Sequence, residues 1–71
     1  MTSQPIEIIV NGETKSVGED ISVDQLLREL GVEASRVAVE LNGKIVAKRD
    51  WASTRVESAS RLEIVQFVGG G

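Results

Sequence analysis

The sequence contains no cysteine, no histidine and no tyrosine, and it has one proline, one tryptophan and one phenylalanine in 71 residues. Each absence removes a class of function. Without Cys or His there is no thiolate nucleophile, no imidazole general base and no zinc site of the usual ligand type. Disulfides cannot hold the fold, so a small apolar core must do so. A domain of this size buries only ~60% of its unfolded surface, and its stability is correspondingly modest. Positive charge is also scarce: 8 Lys+Arg stand against 11 Asp+Glu, for a net charge of −3. That balance argues against a nucleic-acid partner, which needs a basic stripe. No apolar run approaches the ~20 residues of a membrane span. The opening Met1-Thr2-Ser3-Gln4-Pro5 has neither a basic nor an apolar leader region, so a cytoplasmic protein without a membrane partner is expected. No phosphate-binding Gly-x-x-x-x-Gly-Lys-Ser/Thr segment and no Gly-x-Ser-x-Gly elbow occur, and no triad is available without His.

What is present is an ordinary folding composition, 41% apolar, too hydrophobic for a disordered chain. Ile6-Glu7-Ile8-Ile9-Val10 reads as a strand from its β-branched residues. Asn11-Gly12 then signals a type I′ hairpin turn, and Glu13 to Val17 is the return strand. Counting by two from the turn places Val10 and Val17 on one face. Ser22 and Gln25 form a capping box, with Ile21 and Leu26 as its hydrophobic staple. Val23, Leu26, Leu27 and Leu30 make one apolar helical stripe, and Gly31 is placed to end the helix in the left-handed conformation. A second hairpin follows: Val37 to Leu41, the turn Asn42-Gly43, and Lys44 to Val46. Residues 47–60 are irregular and polar, with one helical turn expected near Arg49-Asp50-Trp51. Arg61 to Val68 is the last strand, expected to be the longest and central.

The order β-β-α-β-β-β places one helix over one face of a single mixed sheet. This is an α+β, ubiquitin-like β-grasp domain spanning residues 1–71. Its expected core is Ile6, Ile8, Val10, Val17, Val23, Leu26, Leu27, Leu30, Val37, Val39, Leu41, Val46, Leu62 and Ile64. Glu19-Asp20 is expected to complement the helix dipole. Lys48-Arg49 reads as a solvated surface pair, and Trp51 as a cap over one edge of the core.

Three of the seven glycines close the sequence, Gly69-Gly70-Gly71. Directly after a central strand, they are expected to form a thin flexible arm with a carboxylate at its tip. Glycine lets a backbone thread a narrow channel, because no Cβ obstructs it. A carboxylate becomes reactive once ATP converts it to an acyl-adenylate. This chain lacks the parts for that chemistry, so catalysis would lie on a partner. On the last strand Leu62 and Ile64 face the helix, which sends Val65 and Phe67 to the uncovered face. With Ile9 they are expected to form an apolar docking patch, extended by Val68.

The sequence resembles the sulfur-carrier proteins of thiamine biosynthesis, the ThiS family. The resemblance rests on the length and element order, on Glu40-Leu41-Asn42-Gly43-Lys44-Ile45-Val46 leading to Trp51, and on the ending Ile64-Val65-Gln66-Phe67-Val68-Gly69-Gly70-Gly71. Where that family often has Pro after the paired aliphatics, this chain has Ala47. The resemblance implies that an E1-like (ThiF-like) adenylyltransferase, using ATP with Mg, adenylates the Gly71 carboxylate. Sulfur from a cysteine desulfurase persulfide then makes a thiocarboxylate, which a ThiG-like thiazole synthase consumes. Gly70 and Gly71 match the family's terminal pair. It implies no cofactor bound by this chain itself and no metal. Three other readings remain open from sequence: a small-subunit-like carrier of molybdopterin synthesis, a non-covalent β-grasp binding module, and a modifier whose Gly-Gly carboxylate is joined to lysine.

Overall fold

The computed structural model describes residues 4–67. Five strands form one sheet in the order β2-β1-β5-β3-β4. They are β1 (Pro5–Val10), β2 (Glu13–Gly18), β3 (Val37–Leu41), β4 (Lys44–Val46) and β5 (Arg61–Gln66). The last strand is central and runs parallel to β1 and antiparallel to β3. At six residues it equals β1 and β2 in length, so it is not the longest strand.

Both hairpins turn on Asn-Gly. Asn11 and Asn42 have φ of 50° and 51°, and Gly12 and Gly43 have 83° and 86°. These left-handed values match the twist of the flanking strands, as a type I′ turn requires. The resulting registers pair Val10 with Glu13 and Ile6 with Val17, and Leu41 with Lys44. Val10 and Val17 are therefore buried on the same face.

The helix α1 (Val23–Leu30) begins as its sequence predicts. The Gln25 backbone N–H donates to Ser22 Oγ at 3.1 Å, and the Ser22 N–H donates to Gln25 Oε1 at 3.1 Å. The staple residues Ile21 and Leu26 are both buried. Gly31 caps the other end at φ 74°. Val23, Leu26 and Leu27 turn into the sheet. The Glu19-Asp20 pair lies just before the N-cap Ser22. Asp20 sits in a turn at φ 69° and lies 4.0 Å from Arg55, while Asp24 is the acidic residue of the first helical turn.

The expected core residues are all buried or packed against the core. Three further residues complete it: Ile21, Trp51 and Val56. Trp51 and Val56 come from the stretch expected to be irregular. It contains a 3-10 helix, Lys48–Ser53, that turns Trp51 inward. Val56 is held by its N–H donating to the Ile21 carbonyl at 2.9 Å. Val23 in turn donates to the Thr54 carbonyl, so this segment closes the core beside the start of α1. Among the described residues no helix is long and apolar enough to cross a membrane.

Candidate functional site

The helix covers one sheet face, and the register fixes what the other face presents. β1 sends Glu7 and Ile9 outward, β3 sends Ala38 and Glu40, β4 sends Ile45, and β5 sends Arg61, Glu63 and Val65. Among the described residues three large apolar side chains are exposed: Ile45 at 75%, Phe67 at 57% and Val65 at 54%. Exposed apolar groups concentrated on one face suit a partner surface.

The expected docking residues are only partly brought together. Val65 stands opposite Ala38, and the Phe67 N–H donates to the Arg36 carbonyl at 2.7 Å, which extends β5 along β3. Ile9, by contrast, is half-buried and level with Arg61. Val65 lies four residues further along β5, ~13 Å at ~3.3 Å per residue. Glu63 intervenes on the same face. The cause is the short parallel pairing of β1 with β5, which covers only Ile9–Arg61 and Val10–Leu62 before β1 ends in its turn. The face therefore has an apolar end at Val65 and Phe67, and Ile9 belongs to a separate part of it. Val68, Gly69, Gly70 and Gly71 lie outside the described residues.

Sequence reasoning missed Ile45. Its signal was available: if Val46 faces the core, Ile45 must face out. It also missed what Asn11 does beyond the turn. The Ile64 N–H donates to Asn11 Oδ1 at 2.8 Å, and Asn11 Nδ2 donates to the Ile64 carbonyl at 3.2 Å. Asn42 acts similarly at the other end of β5. Its Oδ1 accepts from the Arg61 N–H at 2.9 Å, and its own N–H donates to the Arg61 carbonyl at 2.8 Å.

Trp51 is 4% exposed, and its Nε1 donates to the Val46 carbonyl at 3.0 Å. It is a core cap with its one polar atom satisfied, which removes it as a surface anchor. Lys48 and Arg49 are exposed at the start of the 3-10 helix. Among the described residues no group of three or more Asp and Glu is placed to hold a metal ion. A cleft of about 400 Å³ opens between the first hairpin and the end of α1. Its polar lining is Asn11, Glu13, Lys15 and Gln66, with Glu13 and Lys15 paired at 3.6 Å, and Leu30 and Ile64 are among its apolar walls. The geometry fits a protein that presents a strand end and a surface for another protein to act on.

A sequence model described as the ThiS family matches residues 3–71. The chain belongs to the ThiS family. The family is one of small sulfur-carrier proteins, not catalysts, and membership supports a sulfur-carrier role here. The crystal structure of a thiamine biosynthesis protein (ThiS) from Geobacter metallireducens superposes with a TM-score of 0.82. It is 35% identical, and the match covers 93% of this chain and all of that one. That agreement establishes the β-grasp fold: a mixed five-stranded sheet under one main helix. The thiazole synthase of Paramagnetospirillum magneticum is 42% identical over 66 residues. This covers 93% of the ThiS chain but only 20% of the synthase, so the chain spans about a fifth of that relative's length. A protein of Porphyra purpurea known as uncharacterized protein ycf40 is 34% identical over 71 residues, the full length of both.

Proposed function

We propose that this ThiS-family chain carries sulfur as a thiocarboxylate on Gly71 and delivers it for thiazole formation in thiamine biosynthesis. The observation that carries this reading is the likeness to thiazole synthases. Two of them, from Paramagnetospirillum magneticum and Magnetococcus marinus, contain a stretch similar to this chain that makes up 20% of their length. A carrier segment joined to the enzyme that consumes its sulfur gains a high effective concentration. A separate carrier must achieve the same contact through a docking surface, and Val65 and Phe67 are exposed where the chain leaves β5. Ile9 and Val68 complete the proposed docking set, and Gly69 and Gly70 the arm.

The chemistry falls to partners. A Gly71 carboxylate oxygen attacks the α-phosphorus of ATP on an E1-like adenylyltransferase, and pyrophosphate leaves with Mg. The resulting acyl-adenylate is attacked at its carbonyl carbon by a persulfide sulfur supplied through a cysteine desulfurase, and AMP leaves. A thiol on the partner then attacks the sulfur of that acyl disulfide that is not bonded to the carbonyl carbon, forming a disulfide with it and releasing the thiocarboxylate. Carbon keeps its oxidation state throughout, and the partner's thiol is the reductant. The soft thiocarboxylate sulfur is then a nucleophile for ring formation by thiazole synthase.

Intact-mass spectrometry tests this. The chain incubated with ATP, its activating enzyme and a persulfide source should exchange one oxygen for one sulfur at its C-terminus. An unmodified terminus, with the enzyme proven active, overturns the reading. Co-purification of a molybdopterin synthase subunit in place of thiazole synthase would redirect it to the other pathway.

A further inference from the structure

We infer that Asn11 is a positioning residue that sets the direction in which the chain leaves β5 toward the carboxylate, an inference that rests on the proposed function. β5 is held unequally on its two sides. On the β3 side its pairing runs to Gln66, and the Phe67 N–H continues it to Arg36. On the β1 side the main-chain pairing covers only Ile9–Arg61 and Val10–Leu62, and its last bond toward the exit runs from the Asn11 N–H to the Leu62 carbonyl at 2.9 Å. There β1 ends and turns away. β5 would pass Ile64 with that edge unpaired.

The Asn11 side chain fills this step. A carboxamide carries the same donor and acceptor as a peptide group. Oδ1 takes the Ile64 N–H at 2.8 Å, and Nδ2 gives to the Ile64 carbonyl at 3.2 Å. The first hairpin is thus extended by one ladder step along β5 without any further main chain. Ile64 immediately precedes Val65 and lies three residues before Phe67, so the clip acts on the last stretch before the arm. The same residue must hold the left-handed φ of 50° that the turn needs, which Asn tolerates better than most. Asn therefore serves the turn with its backbone and the exit strand with its side chain. Removing the amide leaves β5 beyond Leu62 held from one side only. The docked chain then presents its carboxylate over a wider range of directions, and reaction geometry is sensitive to such spread.

Asn42 supplies a matched control. It bonds β5 through its side chain at Arg61, the end remote from the exit. The substitutions N11G and N42G each keep a turn-compatible residue and remove only the side chain. N11D keeps the acceptor for the Ile64 N–H and loses the donor to its carbonyl. Carrier-dependent exchange of pyrophosphate into ATP by the adenylyltransferase, with the full chain, reads the step directly. N11G should lower kcat by about three- to tenfold with KM within about twofold, since the docking surface is untouched. N11D should fall between, and N42G should stay near wild type. Hydrogen exchange at the Ile64 amide should speed up in N11G alone. Equal effects of N11G and N42G, or a change in KM rather than kcat, overturn the inference. A wild-type chain that supports no exchange, with an enzyme proven active on another carrier, overturns the proposed function and this inference with it.

Discussion

At the scale of single residues, the fold depends on side chains that do two things at once. Ser22 is buried and also caps α1. Ser22→Ala leaves the Gln25 N–H without its partner and should cost about 1 kcal/mol, measured by urea denaturation. Trp51 fills the core and also satisfies the Val46 carbonyl. Trp51→Phe keeps most of the packing and loses that bond, so a loss of about 1–2 kcal/mol is expected. Trp51→Ala should cost about 3–5 kcal/mol by emptying the site. Either substitution should lower stability without changing sulfur acceptance at temperatures where the chain stays folded. A loss of acceptance by folded Trp51→Phe would restore Trp51 as a contact residue. The residue scale is also where sequence reading fell short. Asn-Gly announces a hairpin, but nothing local tells where a turn's side chain will land. Asn11 meets Ile64 across 53 positions of sequence. That partner is set by strand order, which is a property of the whole sheet.

At the scale of elements, most of the architecture was legible. Each hairpin has its turn chemistry between alternating apolar residues, and α1 has a cap, a staple and a stop. The registers followed from counting by two. In the stretch from Ala47 to Ser60 the helical turn and the capping Trp51 were legible, but Val56 was not, because it stands alone among polar neighbours with no period to reveal it. The extent of the β1–β5 pairing was hidden too. Parallel neighbours have no connecting turn to fix their register, so the sequence could put Ile9 on the same face as Val65 but not show that it lies level with Arg61. The β3–β5 pair carries a local conflict: Glu40 stands directly opposite Glu63 on the open face. Like charges in that position destabilise a sheet. Neither carboxylate has an ion-pair partner within 4.0 Å among the described residues. Glu63→Gln should therefore raise stability by about 0.2–1 kcal/mol. The gain should shrink as added salt screens the pair, and thermal melts at low and high ionic strength check both parts. A lower melting temperature at low salt would show that the acidic pair is compensated.

At the scale of the molecule, the division of labour is plain. The described residues form a core and a surface, and the proposed chemistry belongs to a single terminal group. Adding residues after Gly71 should leave the unfolding transition within about 0.5 kcal/mol of wild type, since surface additions away from the core rarely do more. The same addition should abolish conversion to the thiocarboxylate, because it replaces the free carboxylate by an amide. Mass spectrometry and a melt on one sample separate the two effects. Loading that persists on an extended chain, without prior trimming to Gly71, would sink the proposal. The outward face is tested by Val65→Asp, which should weaken docking to the proposed adenylyltransferase while the exposed position spares the fold.

The central strand is also the last one in sequence, and this orders events during synthesis. β2-β1 and β3-β4 are separate hairpins until β5 arrives between them. Before then α1 has no continuous sheet to cover, and much of the shared core lacks its middle row, Leu62 and Ile64. A nascent chain on the ribosome therefore gains little of its final stability until β5 has been made and has emerged from the exit tunnel. Any polypeptide cut short before β5 is left as two loosely associated hairpins, which are marginal in water on their own. Such products are open to proteolysis, and they never offer partners a folded surface without the strand that leads to the glycines.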